Sequence, residues 1–323
     1  MISNNSTRRV SVILILLLAS LTSVFSQKEK DKNIPPDAKP VLWKEPADIA
    51  SRDLFLGPGG EEMKPDVSKL TLLKDDQTGY SVKYRVTDAA GKKWVTKVGN
   101  EARPETTAVR LLWAIGYVTE VNYLVPCVHI PNAPKPRKDV PRCEKDGFAD
   151  VRFEARPDDV QRLDNWAWKK NPFVGTKELN GLIVMMAMLN NWDLKDVNNE
   201  ILLGKNENGE PELRYIISDL GATFGKTGGA IAHSRNEPEK FVKTKFVEGV
   251  DGGHVRFAFS GKQSDLLDKI TVADAKWVGG LLSQLTDQQL QDAFRAGDFT
   301  PEEIAILVPA LRDRINQLVN LPG

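Results

Sequence analysis

Cysteine and histidine are scarce in this sequence, and neither sign of charge is in excess. The 323 residues include two cysteines and three histidines. Their spacing matches no metal-ligand pattern, which argues against a structural zinc site. The 44 basic and 44 acidic side chains balance. Because binding to phosphate-rich surfaces usually needs a basic excess, we expect neither nucleic acid nor an anionic membrane surface as a partner.

Apolar runs long enough to span a membrane are also missing. The run at residues 10–21 is short, follows Arg8 and Arg9, and precedes a small-x-small sequence that ends at Ser26. This arrangement is typical of a cleaved secretory signal, here residues 1–26, and an uncleaved N-terminal anchor is the alternative. We therefore expect an exported protein, periplasmic or extracellular, whose mature chain has no transmembrane span.

The two cysteines, Cys127 and Cys143, are separated by a short polar sequence. In an exported protein such a pair favours a disulfide, whereas in a cytosolic protein both would be small buried hydrophobes. The signal sequence therefore makes the disulfide the preferred interpretation.

The first half of the chain predicts a linker followed by strands. Residues 27–50 are rich in lysine and proline, a composition typical of an extended or mobile linker. Five runs rich in β-branched and aromatic residues then predict strands, the first three as an antiparallel meander. These runs are residues 69–76, 80–88, 92–99, 121–131 and 148–157, with a helix near Pro104 after the third run.

The second half of the chain is predicted to be mainly helical. Residues 176–191 are apolar nearly all round, which predicts a helix that is buried on most sides. Two short strands are predicted at residues 199–205 and 213–219. Three amphipathic helices follow between residues 271 and 319.

Together these patterns predict an α+β fold of two lobes. The N-terminal lobe, residues 51–156, would be β-rich, and the C-terminal lobe, residues 157–323, would be helical. No internal repeat is visible in the sequence.

Polar residues with a narrow spacing follow the predicted buried helix. Asp193, Lys195 and Asn198 occur at offsets of zero, two and five, where that helix must end. Further on, Asp219 ends a predicted strand, and Gly221 allows the chain to turn. Phosphoryl transfer from a nucleotide needs an orienting carboxylate, a cation near the phosphates and oxygen ligands for Mg²⁺. These residue types fit that chemistry.

These segments resemble the protein-kinase-like superfamily. Residues 193–198 match the spacing of its catalytic loop, in which Lys and Asn follow Asp by two and five positions. Residues 219–221, Asp-Leu-Gly, resemble its metal-binding DFG motif, with Leu in place of Phe. Upstream, Lys97 in WVTKVG resembles the strand-borne lysine of VAIK, and Glu105 resembles its ion-pair partner. The resemblance covers roughly residues 69–225.

The match departs from ordinary protein kinases in several places. No GxGxxG sequence occurs, and Gly79 is the single glycine of the first hairpin turn. Asn191 and Trp192 stand where the histidine and arginine of HRD would be, and no APE motif follows residues 219–221. The sequence is therefore more similar to the atypical branch, which includes phosphatidylinositol kinases, HipA-like kinases and secretory-pathway kinases.

The resemblance implies that ATP and Mg²⁺, or Mn²⁺, bind between the lobes. Its functional positions fall on seven residues of this sequence: Gly79, Lys97 and Glu105 for the nucleotide, Asp193 and Lys195 for catalysis, and Asn198 and Asp219 for the metal. The γ-phosphoryl group would pass to an acceptor hydroxyl on a protein, a lipid or a small molecule.

Two other functions compete with this interpretation. A catalytically inactive pseudokinase or interaction module would keep the same fold and the same acids, since a fold does not fix an activity. A carbohydrate-binding module would use Trp166 and Trp168, and it predicts that their rings are exposed side by side. Taken singly, the acidic residues also have structural interpretations: Asp193 as an N-cap and Glu105 as a partner of a helix dipole.

Overall fold

A β-sheet forms the N-terminal part of the molecule, and a second sheet and a group of helices follow it. The computed structural model describes residues 34–77, 79–228 and 232–322. The predicted signal peptide, residues 1–26, lies outside them. In chain order the elements are β1 Lys39–Val41, β2 Thr71–Asp76, β3 Val82–Thr87, β4 Lys93–Val98, α1 Ala102–Ala114, β5 Asn122–Val128, β6 Phe148–Ala155, β7 Gln161–Arg162, α2 Lys177–Met188, β8 Asn199–Lys205, β9 Pro211–Ile217, α3 Pro238–Phe241, β10 Val247–Asp251, β11 His254–Phe257, α4 Val272–Leu282, α5 Asp287–Ala296 and α6 Pro301–Val319.

The N-terminal sheet has the strand order β2-β3-β4-β6-β5, and all neighbouring strands are antiparallel. Alternation along β3 buries Val82, Tyr84 and Val86 on one face, where they pack in a cluster with Trp94 and Phe153. Helix α1 packs against β5 and β6. The predicted meander, the two later strands and the helix after the third strand are all confirmed.

The second sheet has the order β1-β9-β8-β7, and its first strand comes from the segment predicted as a linker. Residues 39–41 pair in parallel with residues 212–214 of β9. Nearby, Trp43 Nε1 donates a hydrogen bond to the carbonyl of Ile115 at 2.7 Å. A composition rich in lysine and proline is typical of solvated chain, but it does not report main-chain pairing at a sheet edge. The structure therefore has a strand within a segment whose composition predicts a linker.

Helix α2 is the buried centre of the C-terminal part. Its residues Val184, Met185 and Met188 are fully buried, as the all-round apolar sequence predicts. Helices α4, α5 and α6 each begin with a capping box formed by a threonine N-cap: Thr271, Thr286 and Thr300. These four predicted helices are confirmed. Within the described ranges, no helix is long and apolar enough to cross a membrane.

The hairpin β10–β11 and the four-residue helix α3 have no counterpart in the sequence predictions. The sequence of β10 lacks a clear alternation of apolar and polar residues. It contains Gly249, and the pairing with β11 shifts in register between Val247 and Gly249. The remaining element order confirms the predicted α+β fold class, with a β-rich part first and a helical part second. The predicted division between residues 156 and 157 falls between β6 and β7.

Cys127 and Cys143 form a disulfide, with their Cα atoms 5.8 Å apart. The bond joins the end of β5 to the chain just before β6. It therefore closes the loop between these two neighbouring strands.

Trp166 and Trp168 lie in the hydrophobic core. They are 3% and 2% exposed, and their rings contact each other edge to face at a centroid distance of 5.0 Å. The Trp166 ring also lies 6.1 Å from the Tyr215 ring of β9. The prediction of two exposed rings for a carbohydrate is therefore wrong, because the two side chains fill the interior beneath the second sheet.

Candidate active site

A cleft of about 740 Å³ brings together distant segments of the chain. It is lined by the turn between β2 and β3, by β4 and β6, by the loop after α2 and by the segment after β9. Six of the seven predicted site residues line it: Gly79, Lys97, Asp193, Lys195, Asn198 and Asp219. The seventh, Glu105, is buried beside Lys97, with 1% of its side chain exposed.

Lys97 is the centre of a buried group of charges. Its Nζ lies 2.9 Å from Oε2 of Glu105, 3.2 Å from Oδ1 of Asp219 and 3.4 Å from Oε2 of Glu101. Strand β4 carries Lys97 opposite Arg152 of β6, so the two basic side chains share one face of the sheet. Glu105 lies in the first turn of α1, where the helix dipole also favours a carboxylate.

The charges of this group are set by burial and by the partners together. Burial favours the neutral amine of Lys97, but Asp219 and Glu105 outweigh it and hold its pKa above the usual range. Burial likewise opposes ionisation of Asp219, yet Lys97 and the N–H of Gly221 lower its pKa. Glu105 lies deeper, and burial raises its pKa although Arg152 and Lys97 act against the rise. At neutral pH the cleft therefore presents a protonated lysine beside an ionised Asp219.

The loop after α2 holds the carboxylate of Asp193 from two sides. Lys195 Nζ lies 2.8 Å from Oδ1 of Asp193, and Asn198 Nδ2 donates to Oδ2 at 3.2 Å and to the main-chain carbonyl at 2.7 Å. The main-chain N–H of Asp193 donates to Oδ1 of Asn191 at 3.1 Å. The side chain of Asp193 is 16% exposed. The carboxylate is thus fixed in orientation where it lines the cleft.

A left-handed residue ends α2 and starts this loop. Asn190 has φ +55°, a conformation that asparagine tolerates better than most residues. Its Nδ2 donates to the carbonyl of Gly225 at 2.7 Å, and its Oδ1 accepts from Arg314 at 3.2 Å. The buried Arg314 therefore ties the start of the loop after α2 to α6.

Main-chain hydrogen bonds join the two predicted metal ligands. The N–H groups of Ser218 and Asp219 both donate to the carbonyl of Asn198, at 2.8 and 3.2 Å. The N–H of Gly221 donates to Oδ1 of Asp219 at 3.1 Å. A Cβ atom at Gly221 would lie 2.6 Å from Cβ of Glu101, so the close approach of these segments requires glycine.

The donor atoms at this position fit a magnesium or manganese ion. The contacts of the Asp219 carboxylate described above go to Oδ1, which leaves Oδ2 for a metal. Asn198 Nδ2 donates to Asp193. The other polar side-chain atom, Oδ1 of Asn198, is therefore the second candidate ligand of the metal. Among the described residues no three His, Cys, Asp or Glu side chains form a group that could hold a metal. Mg²⁺ in nucleotide sites is commonly bound by one or two protein oxygens together with phosphates and water.

A chain of ion pairs along β6, which the sequence analysis missed, forms one wall of the cleft. Arg152 lies 3.4 Å from Glu105 and 2.6 Å from Glu154. Arg156 and Arg162 contact Glu154 in turn. The sequence VRFEAR, residues 151–156, indicates this charged face. Its charges occur at every second position, and such positions of a strand lie on one face of the sheet.

The carboxylates of this wall differ in pKa. Burial opposes ionisation of Glu154, but the arginines around it outweigh burial and hold its pKa well below the usual range. Glu120 contacts Arg162 from the other side, and burial together with Glu154 raises the pKa of Glu120 to about 7. Glu154 is therefore the ionised member of this pair of carboxylates at neutral pH.

Glu101, Ser81 and Arg235 were also not predicted as site residues. The hydroxyl of Ser81 donates to Glu101, and the guanidinium of Arg235 pairs with the same carboxylate. Arg235 also lies over the ring of Trp192, at 4.9 Å from its centroid. These contacts link the β2–β3 turn, the start of α1 and the loop after α2. No local spacing in the sequence could have found them, because their partners are far apart along the chain.

No protein-family model and no curated protein matches the sequence. The solved structures that match the chain include two kinases. The proinflammatory kinase CtkA of Helicobacter pylori is 10% identical, with a TM-score of 0.46 over 79% of this chain and 97% of that chain. The Rio2 kinase of Chaetomium thermophilum, solved as an ADP/Mg²⁺-phosphoaspartate complex, is 15% identical, with a TM-score of 0.29 over 80% of this chain and 73% of that chain.

Proposed function

We propose that this protein transfers the γ-phosphoryl group of ATP to an acceptor hydroxyl, with Mg²⁺ or Mn²⁺ as the metal. The observation that carries the proposal is the contact of Lys97 with both Glu105 and Asp219. This contact faces the cleft that also holds Asp193 and Asn198. A fixed cation beside oxygen ligands and a reachable carboxylate is the arrangement that phosphoryl transfer needs.

Each side chain has a role in that reaction. Lys97 binds the α- and β-phosphates, and Glu105 keeps its ammonium group in place. Asp193 orients the acceptor hydroxyl and takes its proton as the acceptor oxygen bonds to the γ-phosphorus. The bond from that phosphorus to the bridging oxygen breaks, and ADP leaves with the bonding electrons. Lys195, whose side chain is 47% exposed, moves from Asp193 to balance charge on the transferring group.

The metal would be held by Asn198 and Asp219. A bound Mg²⁺ or Mn²⁺ supplies positive charge to the phosphate oxygens. The main-chain bonds from Ser218 and Asp219 to the Asn198 carbonyl keep the two ligands in register.

Two further points belong to this proposal. The protein is a member of the atypical branch of kinases, which the lack of a glycine-rich sequence in the β2–β3 turn supports. It also acts outside the cytoplasm after removal of residues 1–26, which the disulfide supports because such bonds persist in oxidising compartments. The acceptor is then a protein, a lipid or a small molecule of that compartment.

One observation favours the inactive alternative, a pseudokinase or interaction module. The wall of the cleft formed by β6 carries Arg152, Glu154 and Arg156 rather than apolar side chains. A purine base packs best against apolar surface, so this wall disfavours ordinary adenine binding. The inactive alternative predicts a stable fold that neither binds nor turns over ATP.

The first experiment is a thermal-shift measurement on the purified chain with ATP and Mg²⁺ or Mn²⁺. At a hundred times the dissociation constant, we expect stabilisation by about 2 to 3 kcal/mol. The Asp219→Asn variant should fold, lose this shift and lose ATP turnover. Absence of a shift with any nucleotide and metal would favour the interaction module, and full turnover by Asp219→Asn would show that the assigned roles are wrong.

A further inference from the structure

The loop closed by the Cys127–Cys143 disulfide packs beside the β2–β3 turn of the cleft. Its chain is anchored on the sheet at two points. The hydroxyl of Tyr84 donates to the carbonyl of Pro134 at 3.0 Å, and the guanidinium of Arg142 lies 4.3 Å from the ring centroid of Phe148. The loop therefore has a fixed place on β3 and β6 that does not depend on the turn.

Two consecutive side chains of this loop hold the turn. Arg137 donates hydrogen bonds to the main-chain carbonyls of Gln77, Gly79 and Ser81, at 2.5, 2.5 and 2.7 Å. The ammonium group of Lys138 lies 3.3 Å from the ring centroid of Tyr80. One guanidinium thus contacts three carbonyls of the segment that runs from the end of β2 to the start of β3.

The turn lines the cleft on the side of Lys97 and Asp219. Gly79, Tyr80 and Ser81 share the cleft with both residues. A phosphate group is attracted by main-chain N–H groups and repelled by carbonyl oxygens. A glycine-rich turn can rotate its carbonyls away from phosphates, whereas this turn has a single glycine, with φ +70°. Carbonyls that are bound by a guanidinium are fixed in direction, and their partial negative charge is compensated.

We propose that Arg137 is a positioning residue for the phosphate end of the nucleotide. It acts through its contacts with Gln77, Gly79 and Ser81, and the disulfide-closed loop holds it there. The loop replaces the fixed backbone that a glycine-rich sequence provides elsewhere. This inference rests on the proposed function, because it assumes that ATP binds in the cleft.

The test compares Arg137→Gln with Lys135→Gln in the same loop. Lys135 is exposed and has no contact with the turn among the described residues. We expect Arg137→Gln to bind ATP with Mg²⁺ roughly tenfold more weakly than wild type, while Lys135→Gln binds like wild type. Without ligand, both variants should melt at similar temperatures. Arg137→Lys should recover part of the affinity, since one ammonium reaches fewer carbonyls than a guanidinium.

The outcomes separate this inference from the proposed function. If wild type binds ATP and Arg137→Gln binds it equally well, the role of Arg137 is refuted and the proposed function stands. A fall in ligand-free melting temperature well beyond that of Lys135→Gln would also refute it, because the effect would then be a general loss of structure. If wild type binds no nucleotide, both ideas fail together.

A second variant tests the part assigned to the disulfide. Cys127→Ser with Cys143→Ser should weaken ATP binding in the same direction as Arg137→Gln, because the loop loses its covalent closure. Calorimetric titration with ATP and Mg²⁺ measures this directly. Wild-type affinity in the double variant would refute the contribution of the disulfide.

Discussion

Two groups of side chains lie at one cleft but are held together differently. The lysine cluster consists of Lys97, Glu105 and Asp219, and the proposed catalytic loop comprises residues 193–198. The cluster joins side chains from β4, α1 and the segment after β9, and Lys97 and Glu105 are 6% and 1% exposed. The side chains of the catalytic loop lie within six consecutive positions and bond mainly to one another. The fold assembles the cluster, whereas the local sequence assembles the loop.

Because of this difference, the two groups should contribute differently to the stability and to the activity of the protein. A buried charge that loses its partner cannot regain the solvation that it lost on folding. A charge near the surface loses little, because water replaces the partner. Damage to the lysine cluster should therefore reduce stability as well as activity, and damage to the catalytic loop should reduce activity alone.

The largest expected effect is on the stability of a Glu105→Ala variant. Removal of this carboxylate leaves Lys97 and Arg152 buried without one of their partners. We expect the free energy of unfolding to fall by about 3 to 5 kcal/mol, measured by urea-induced unfolding. Lys195→Ala is the matched control from the loop at residues 193–198, because its side chain is 47% exposed, and it should lose about 1 kcal/mol or less. Equal losses in the two variants would remove the distinction between the two groups.

The next effect is on turnover in an Asp193→Asn variant. Loss of the base should lower the rate of phosphoryl transfer at least about a hundredfold, while ATP affinity and the melting temperature stay near those of wild type. Asp196→Asn is the control within the same loop and should keep wild-type turnover. Asp196 accepts a hydrogen bond from the main-chain N–H of Trp168 at 3.2 Å and has no role in the proposed reaction. Wild-type turnover in Asp193→Asn would mean that another group takes the proton.

The smallest effect is a pH dependence of stability at Asp219, whose side chain is 38% exposed and therefore partly screened by water. Lys97 and the Gly221 N–H lower the pKa of Asp219 against the effect of burial. A lowered pKa contributes stability above the unfolded value of about 3.9, and this contribution is lost as the pH falls through the folded value. The difference in unfolding free energy between wild type and Asp219→Asn should therefore shrink below about pH 4.

Urea titrations from neutral to acidic pH measure this difference. A difference that stays constant down to the lowest pH would show that Asp219 stabilises the protein by packing or hydrogen bonds rather than by its charge. That result would leave the catalytic-loop predictions unaffected and would weaken the electrostatic account of the lysine cluster.

The parts of the molecule that the sequence predicts well are those with local causes. Helix α6 begins after Thr300 because the capping residues are adjacent in sequence. The apolar sequence of α2 and the alternation in β3 predict burial for the same reason. The spacing of Asp193, Lys195 and Asn198 likewise indicates one site, since a single loop carries all three.

Other parts depend on contacts between distant segments, and no local pattern reports them. Glu101 pairs with Arg235, and Arg137 binds the turn around Gly79. Each contact exists because the fold brings two loops together, and neither residue has a distinctive neighbourhood in the sequence. The charged face of β6 is an intermediate case, since alternation predicts the face but not the partners of Arg152.

The parallel pairing of β1 has a consequence for the order of events during synthesis. Residue 39 pairs with residue 212, so a chain that emerges from its N terminus exposes this strand long before its partner exists. Contacts of such long sequence separation close late and at a high entropic cost. Pro40 has no N–H to offer to an early competitor. The second sheet can thus be completed only after most of the chain has been made. A fusion partner placed directly before residue 34 would sterically hinder the pairing of β1 with β9.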